Sequence, residues 1–287
     1  MDETFRLGGD LPVRRIGLGT NRLQNLAQPD ATRLLTHAAD LRVDFVDTAD
    51  VYGDKESEAR VGGALAELAR RGRDEAEASS TALPHLPRKP VVATKGGMTR
   101  GPAGSGVDGS PKHLRAALEA SLARLGVARV DLYYLHKPDP AVPLAESVRA
   151  LAEMRDEGKI RHVGLCNVTV AQLDEARAIV PIAAVQNRYH LGDRASEDVL
   201  AACERLGIAF VPWYPLGKGT DLLARIAPVA QRLHATPAQV ALAWLLHRSR
   251  VMLPIPGTTS LAHLEENAAA GKLRLAPADV AELEGGG

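Results

Sequence analysis

A phenol, an ammonium, a carboxylate and an imidazole stand in this chain at Tyr52, Lys95, Asp47 and His136, each at or just past the end of a short apolar run. The runs are Val43 to Val46 before Asp47 and Tyr52, Val91 to Thr94 before Lys95, and Val130 to Leu135 before His136. Taken singly, each residue has a plain structural use: a helix cap, a packing ring, a surface charge, a satisfied histidine. Brought together they can move a proton, and the C-terminal ends of parallel strands are where barrel enzymes keep such groups. The elements that would bring them together are therefore the next question.

Eight β-branched or apolar runs begin near Ile16, Val43, Val91, Val130, His162, Ala183, Ile208 and Val251. They recur about every 34 residues, the length of a strand, a helix and two loops. The intervening segments carry helix punctuation. Ser110-Pro111 places an N-cap before a first-turn proline, with Gly126 as the stop, and Thr236-Pro237-Ala238-Gln239 is a capping box. Alternating strands and helices predict a parallel sheet, open and doubly wound or closed; the count of eight and the spread of polar residues over many strand ends favour a single (β/α)8 TIM barrel spanning residues 1–287. Phe5 to Val13 reads as a short hairpin that could plug the barrel floor. Residues 72–89 read as a solvated insertion on the floor side. Residues 101–109, rich in glycine, read as a catalytic-side loop that could cover a substrate.

Composition narrows the function. Lys+Arg and Asp+Glu are equal at 35 each, which does not suggest a nucleic-acid partner. No run of 18 apolar residues or signal-like leader occurs, and the two cysteines imply no disulfide framework, so the chain reads as cytoplasmic and off the membrane. The nine histidines do not pair with carboxylates at ligand spacing, and no metal is expected. Gly17-Leu18-Gly19-Thr20 lacks the third glycine of a dinucleotide fingerprint and reads as a tight turn that puts the Thr20 backbone at the barrel mouth. Oligomeric state is not legible here.

Four motifs resemble the aldo-keto reductase family, in family order and over nearly the whole chain. They are Asp47-Thr48-Ala49-Asp50-Val51-Tyr52-Gly53, Val92-Ala93-Thr94-Lys95-Gly96-Gly97, Asp131 to Pro140 around His136, and Gly164-Leu165-Cys166-Asn167. The resemblance implies carbonyl reduction with Tyr52 as general acid, Lys95 and Asp47 lowering its pKa, and His136 orienting the carbonyl oxygen. No side chain can deliver a hydride, so a nicotinamide cofactor is implied, NADPH in preference to NADH. By resemblance its carboxamide would meet Asn167 and Gln186, and Trp213, next to Tyr214, would stack on its ring. Cys166 stands where the family usually has serine, and a thiol is a poor donor. Leu216-Gly217-Lys218-Gly219 resembles the pyrophosphate segment. Gly257, Thr258, Thr259, His263, Glu266 and Asn267 resemble the adenosine segment, with Gly257 and His263 where many members have lysine and arginine.

The run from Arg161 to Asn187 looks most like bacterial members that reduce pyridoxal or other small carbonyls. Other readings stay open: reduction of a sugar or natural-product ketone, a cofactor-bound sensor subunit, or a Schiff-base aldolase using Lys95.

Overall fold

A computed structural model describes residues 4–78, 89–101, 104–217 and 219–285. Strands β1 (Thr4–Leu7) and β2 (Leu11–Arg14) pair antiparallel around Gly8 and Gly9, whose φ values of 60° and 86° explain the glycines at that turn. Leu7, Leu11 and Val13 enter one apolar cluster with Phe45, Ala93, Leu132 and Ala184. Asp10 bonds His162 at 2.6 Å and Arg161 at 2.8 Å. The hairpin thus closes the barrel floor, as its sequence suggested.

The remaining barrel strands are β3 (Leu18–Gly19), β4 (Phe45–Asp47), β5 (Val91–Gly96), then, beyond the ribbon of β6 (Met98–Gly101) and β7 (Gly104–Val107), β8 (Val130–Leu135), β9 (Ile160–Cys166), β10 (Ile182–Gln186) and β11 (Ala209–Phe210). The parallel sheet has the order β11-β10-β9-β8-β5-β4-β3. Its two edges are joined by residues 251–257. On one side Phe210 donates to Val251 O and Leu253 donates to Phe210 O, both at 2.9 Å. On the other, Gly17 and Gly19 donate to Pro254 O and Pro256 O at 2.9 and 3.3 Å. The eighth position is occupied, but Pro254 and Pro256 have no N–H to give, so a full ladder never forms.

That seam corrects the reading of Gly17-Leu18-Gly19. These residues are not a turn after the first strand; Leu18 and Gly19 are the strand, paired with Val46 and Asp47. A Cβ on Gly19 would lie 2.6 Å from Ile255 O, and one on Gly17 2.8 Å from Phe45 O. The glycines are there because two backbones meet.

Helices α1 (Gln28–Asp40), α2 (Glu56–Ala78), α3 (Pro111–Leu125), α4 (Leu144–Asp156), α5 (Val170–Arg177), α6 (Glu197–Leu206), α7 (Thr220–Arg232), α8 (Pro237–Arg248), α9 (Leu261–Ala269) and α10 (Pro277–Leu283) alternate with and follow the strands. Ser110 Oγ accepts from His113 N at the start of α3, Gly126 ends it at φ 66°, and Thr236 and Gln239 form the expected capping box of α8. Two expectations about loops are revised. Residues 72–78 extend α2, because Ala, Glu and Arg dominate there and favour helix; 79–88 lie outside the described residues. The glycine-rich stretch around 101–109 is largely an antiparallel ribbon, Met98 pairing with Val107 and Gly101 with Gly104, with 102 and 103 outside the described residues.

Candidate active site

Asp47 ends β4, Lys95 sits in β5 and His136 follows β8, so three adjacent strands present their polar ends to one place. Lys95 is fully buried and its Nζ donates to Asp47 Oδ1 at 2.6 Å, Thr48 O at 2.8 Å and Tyr52 Oη at 3.2 Å. Three acceptors match the three protons of an ammonium. Gln186 Nε2 donates to the other Asp47 oxygen at 2.8 Å, which holds the carboxylate from the opposite side of the barrel. The ammonium also lies 4.8 Å from the centre of the Tyr52 ring. His136 meets that ring edge-on, centroids 6.0 Å apart.

Burial opposes the Lys95 charge, yet the Asp47 carboxylate and Tyr52 oxygen outweigh it, and the amine stays above the usual lysine range. Tyr52 overturns the expected lowering. Burial pushes its phenol above the ordinary value; Lys95 pulls it down, and Asp47 pushes it back up. An ion pair presents little net charge to its neighbour, so desolvation decides. His136 falls to about 3 through burial and the Lys95 charge, and so is a neutral imidazole with one N–H. Its Nδ1 is buried with no hydrogen-bond partner.

Tyr52, Asp47, His136, Asn167, Gln186, Trp213, Tyr214, Leu216, Gly217, Gly257 and Thr20 all line one cavity of about 880 Å³. Asn167 takes φ 57°, a left-handed conformation that asparagine tolerates, and its side chain links His136 O (3.1 Å) to Trp213 Nε1–H (2.9 Å). Tyr214 is also left-handed at φ 60°, and the turn it opens is closed by Gly217 N donating to its carbonyl at 3.1 Å. Arg188 lies 5.7 Å from the Trp213 ring centre and 5.6 Å from that of Tyr214. Trp213 is thus a wall residue, whereas the chain's other tryptophan, Trp244, is fully buried.

Other predicted residues stand apart from that wall. Cys166 is buried in the barrel interior with Tyr134 and Ala184 and does not line the cavity; burial pushes its thiol well up, so it stays protonated. Thr258 is buried and accepts from Ser260 N at 3.0 Å; Thr259 and His263 are exposed along the start of α9, Glu266 is half-buried and Asn267 buried. None of the five lines the cavity, although Gly257 beside them does. Gly219 is exposed at the N-terminus of α7, and Lys218 lies outside the described residues. Sequence reasoning did not single out Asn21, Arg22, Met98, Lys137, Ile255 and Pro256, which also line it. Lys137 sat inside the motif around His136, but nothing in a single chain separates a cavity cation from a solvated one.

The aldo/keto reductase family model matches residues 15–285. The chain belongs to that family. An uncharacterized oxidoreductase of Schizosaccharomyces pombe is 39% identical to this reductase, covering 96% of it and 87% of the relative. A probable aldo-keto reductase of Glycine max is 32% identical over 94% and 84% of the two chains. The crystal structure of an aldo/keto reductase from Klebsiella pneumoniae in complex with NADP and acetate superposes with a TM-score of 0.82 at 28% identity, covering 99% of this reductase and 95% of that chain. The closed (β/α)8 architecture and the oxidoreductase class follow.

Proposed function

We propose that this reductase converts a small aldehyde or ketone to the alcohol with NADPH, with Tyr52 as the proton donor. The observation that carries the reading is the contact of Tyr52 Oη with Lys95 Nζ at 3.2 Å, on the wall of a cavity shared with His136. The residues fit a nicotinamide. Trp213 offers an aromatic face, Asn167 Oδ1 and Gln186 Oε1 keep acceptor capacity for a carboxamide, and Gly217 and Gly257 put bare backbone on the cavity wall. The Klebsiella relative holds NADP, which supports the phosphorylated form. When bound, the reduced ring supplies hydride to the carbonyl carbon.

This chain's own side chains do the rest. His136, neutral, can donate its single N–H to the carbonyl oxygen without placing a charge there. The Tyr52 phenol gives its proton to the same oxygen as negative charge develops, and an alkoxide is far more basic than a phenolate, so a phenol held protonated is a competent donor. Lys95 then faces a new phenolate at hydrogen-bond distance and stabilises it, while Asp47 keeps Lys95 from swinging away. Small carbonyls, pyridoxal among them, are the candidates that the resemblance suggests within this class. Tyr52→Phe should lower kcat/KM for aldehyde reduction at least about 100-fold while quenching of tryptophan fluorescence by NADPH persists. Retained turnover in that variant overturns the assignment of Tyr52.

A further inference from the structure

Barrel position divides the cavity mouth. Segments after β11 and after the eighth strand position, 214–217 and Gly257, form one side. Met98, just past β5, and Lys137, just past β8, form the other, since the third and fourth barrel strands face the seventh and eighth across the axis. A nicotinamide whose pyrophosphate follows the first side leaves the second for the substrate.

The substrate side is cationic. Lys137 on that side, and Arg22, which follows β3 beside Gly257, line the cavity and are exposed at its rim, and among the described residues neither is held in an ion pair. Arg100 lies two residues beyond Met98 on the same strand, so the two-residue alternation puts it on the face of the ribbon that carries Met98 to the cavity. Among the described lining residues Asp47 is the one carboxylate, and Lys95 and Gln186 hold both of its oxygens. The acidic residues nearest in sequence turn elsewhere: Asp139 accepts from Gly109 N and Ala141 N at 2.9 and 2.8 Å, and Asp108 accepts from Ser110 N at 2.9 Å. The cavity rim therefore carries the cations Lys137 and Arg22 without a carboxylate paired to either among the described residues.

We propose that the substrate this reductase prefers is an aldehyde or ketone bearing a carboxylate, which Lys137 meets at the rim while the carbonyl reaches Tyr52 and His136. The proposal rests on the reductase reading above. It is tested with 4-carboxybenzaldehyde and its methyl ester, which share ring and aldehyde but differ in charge, using NADPH oxidation at about 10 and about 150 mM salt. The acid should exceed the ester in kcat/KM by roughly tenfold at low salt, through KM, and the advantage should shrink at high salt. In Lys137→Gln the ratio of acid to ester should fall towards one. Equal use of both aldehydes by the wild type, or preference for the ester, overturns the carboxylate proposal and leaves the reductase reading standing. Failure to reduce either aldehyde with NADPH overturns the reductase reading itself. Should Lys137→Gln weaken NADPH binding, followed by fluorescence, as much as it weakens the acid, the cation serves the cofactor and the proposal falls.

Discussion

Tyr52 keeps its proton because burial outweighs a charge pair whose two members act on it in opposite directions. The sign of the pH dependence follows. A phenol raised above its ordinary value of 10.0 is protonated throughout the neutral range, so the reduction rate should stay flat there and fall only at strongly alkaline pH. Alcohol oxidation, which needs the phenolate, should instead rise with pH over the same window. Steady-state kcat profiles in both directions check this. A reduction rate that declines through pH 7 to 8 would show a lowered phenol, as the motif alone had suggested.

The loop that carries Tyr52 also holds a buried carboxyl with an unpartnered oxygen. Asp50 lies past β4 with Oδ1 buried and unpartnered, and burial together with the nearby Glu58 lifts its carboxyl to about 7. Glu58, fully buried at the start of α2, is itself satisfied by Thr94 at 2.5 Å and Arg124 at 2.6 Å, so one guanidinium serves two acids. A raised carboxyl favours the folded state at low pH. That contribution erodes as pH rises above the ordinary value of 3.8 and is gone above about 7. Asp50→Asn should therefore flatten the pH dependence of thermal stability, removing roughly 2 kcal/mol of the loss between pH 5 and 8. Melting curves at both pH values decide it; parallel curves for the two proteins would mean Asp50 is ionised in both states.

At the scale of the whole molecule, closure depends on two unlike devices. The seam at residues 251–257 relies on carbonyls of prolines and on glycines that let backbones touch. The floor relies on Leu7, fully buried under the strands, and on Asp10 tied to β9. Leu7→Ala leaves a cavity where the hairpin plugs the barrel, and should cost about 2 to 5 kcal/mol in chemical denaturation. Because the hairpin is at the opposite end from the cavity, kcat should hold while the midpoint falls. A variant as stable as the wild type would mean the hairpin rests on the barrel without sealing it.

Local patterns were enough for much of this. Apolar runs bounded by glycine and proline mark buried strands, and caps such as Ser110 and Thr236 mark helix starts, because both depend on neighbours within a few residues. The four polar strand ends were legible for the same reason. What tertiary structure decided is everything set by distant partners. The glycines at 17 and 19 answer to Ile255 and Phe45, the Asn167 amide answers to His136 and Trp213, and the Tyr52 proton answers to a balance of desolvation and two opposed charges. Cys166 and Thr258 sit beside the expected segments, yet their side chains are buried away from the cavity wall. Spacing along a chain records which residues a strand end can offer; only packing across the barrel fixes which of them face the cavity and with what charge.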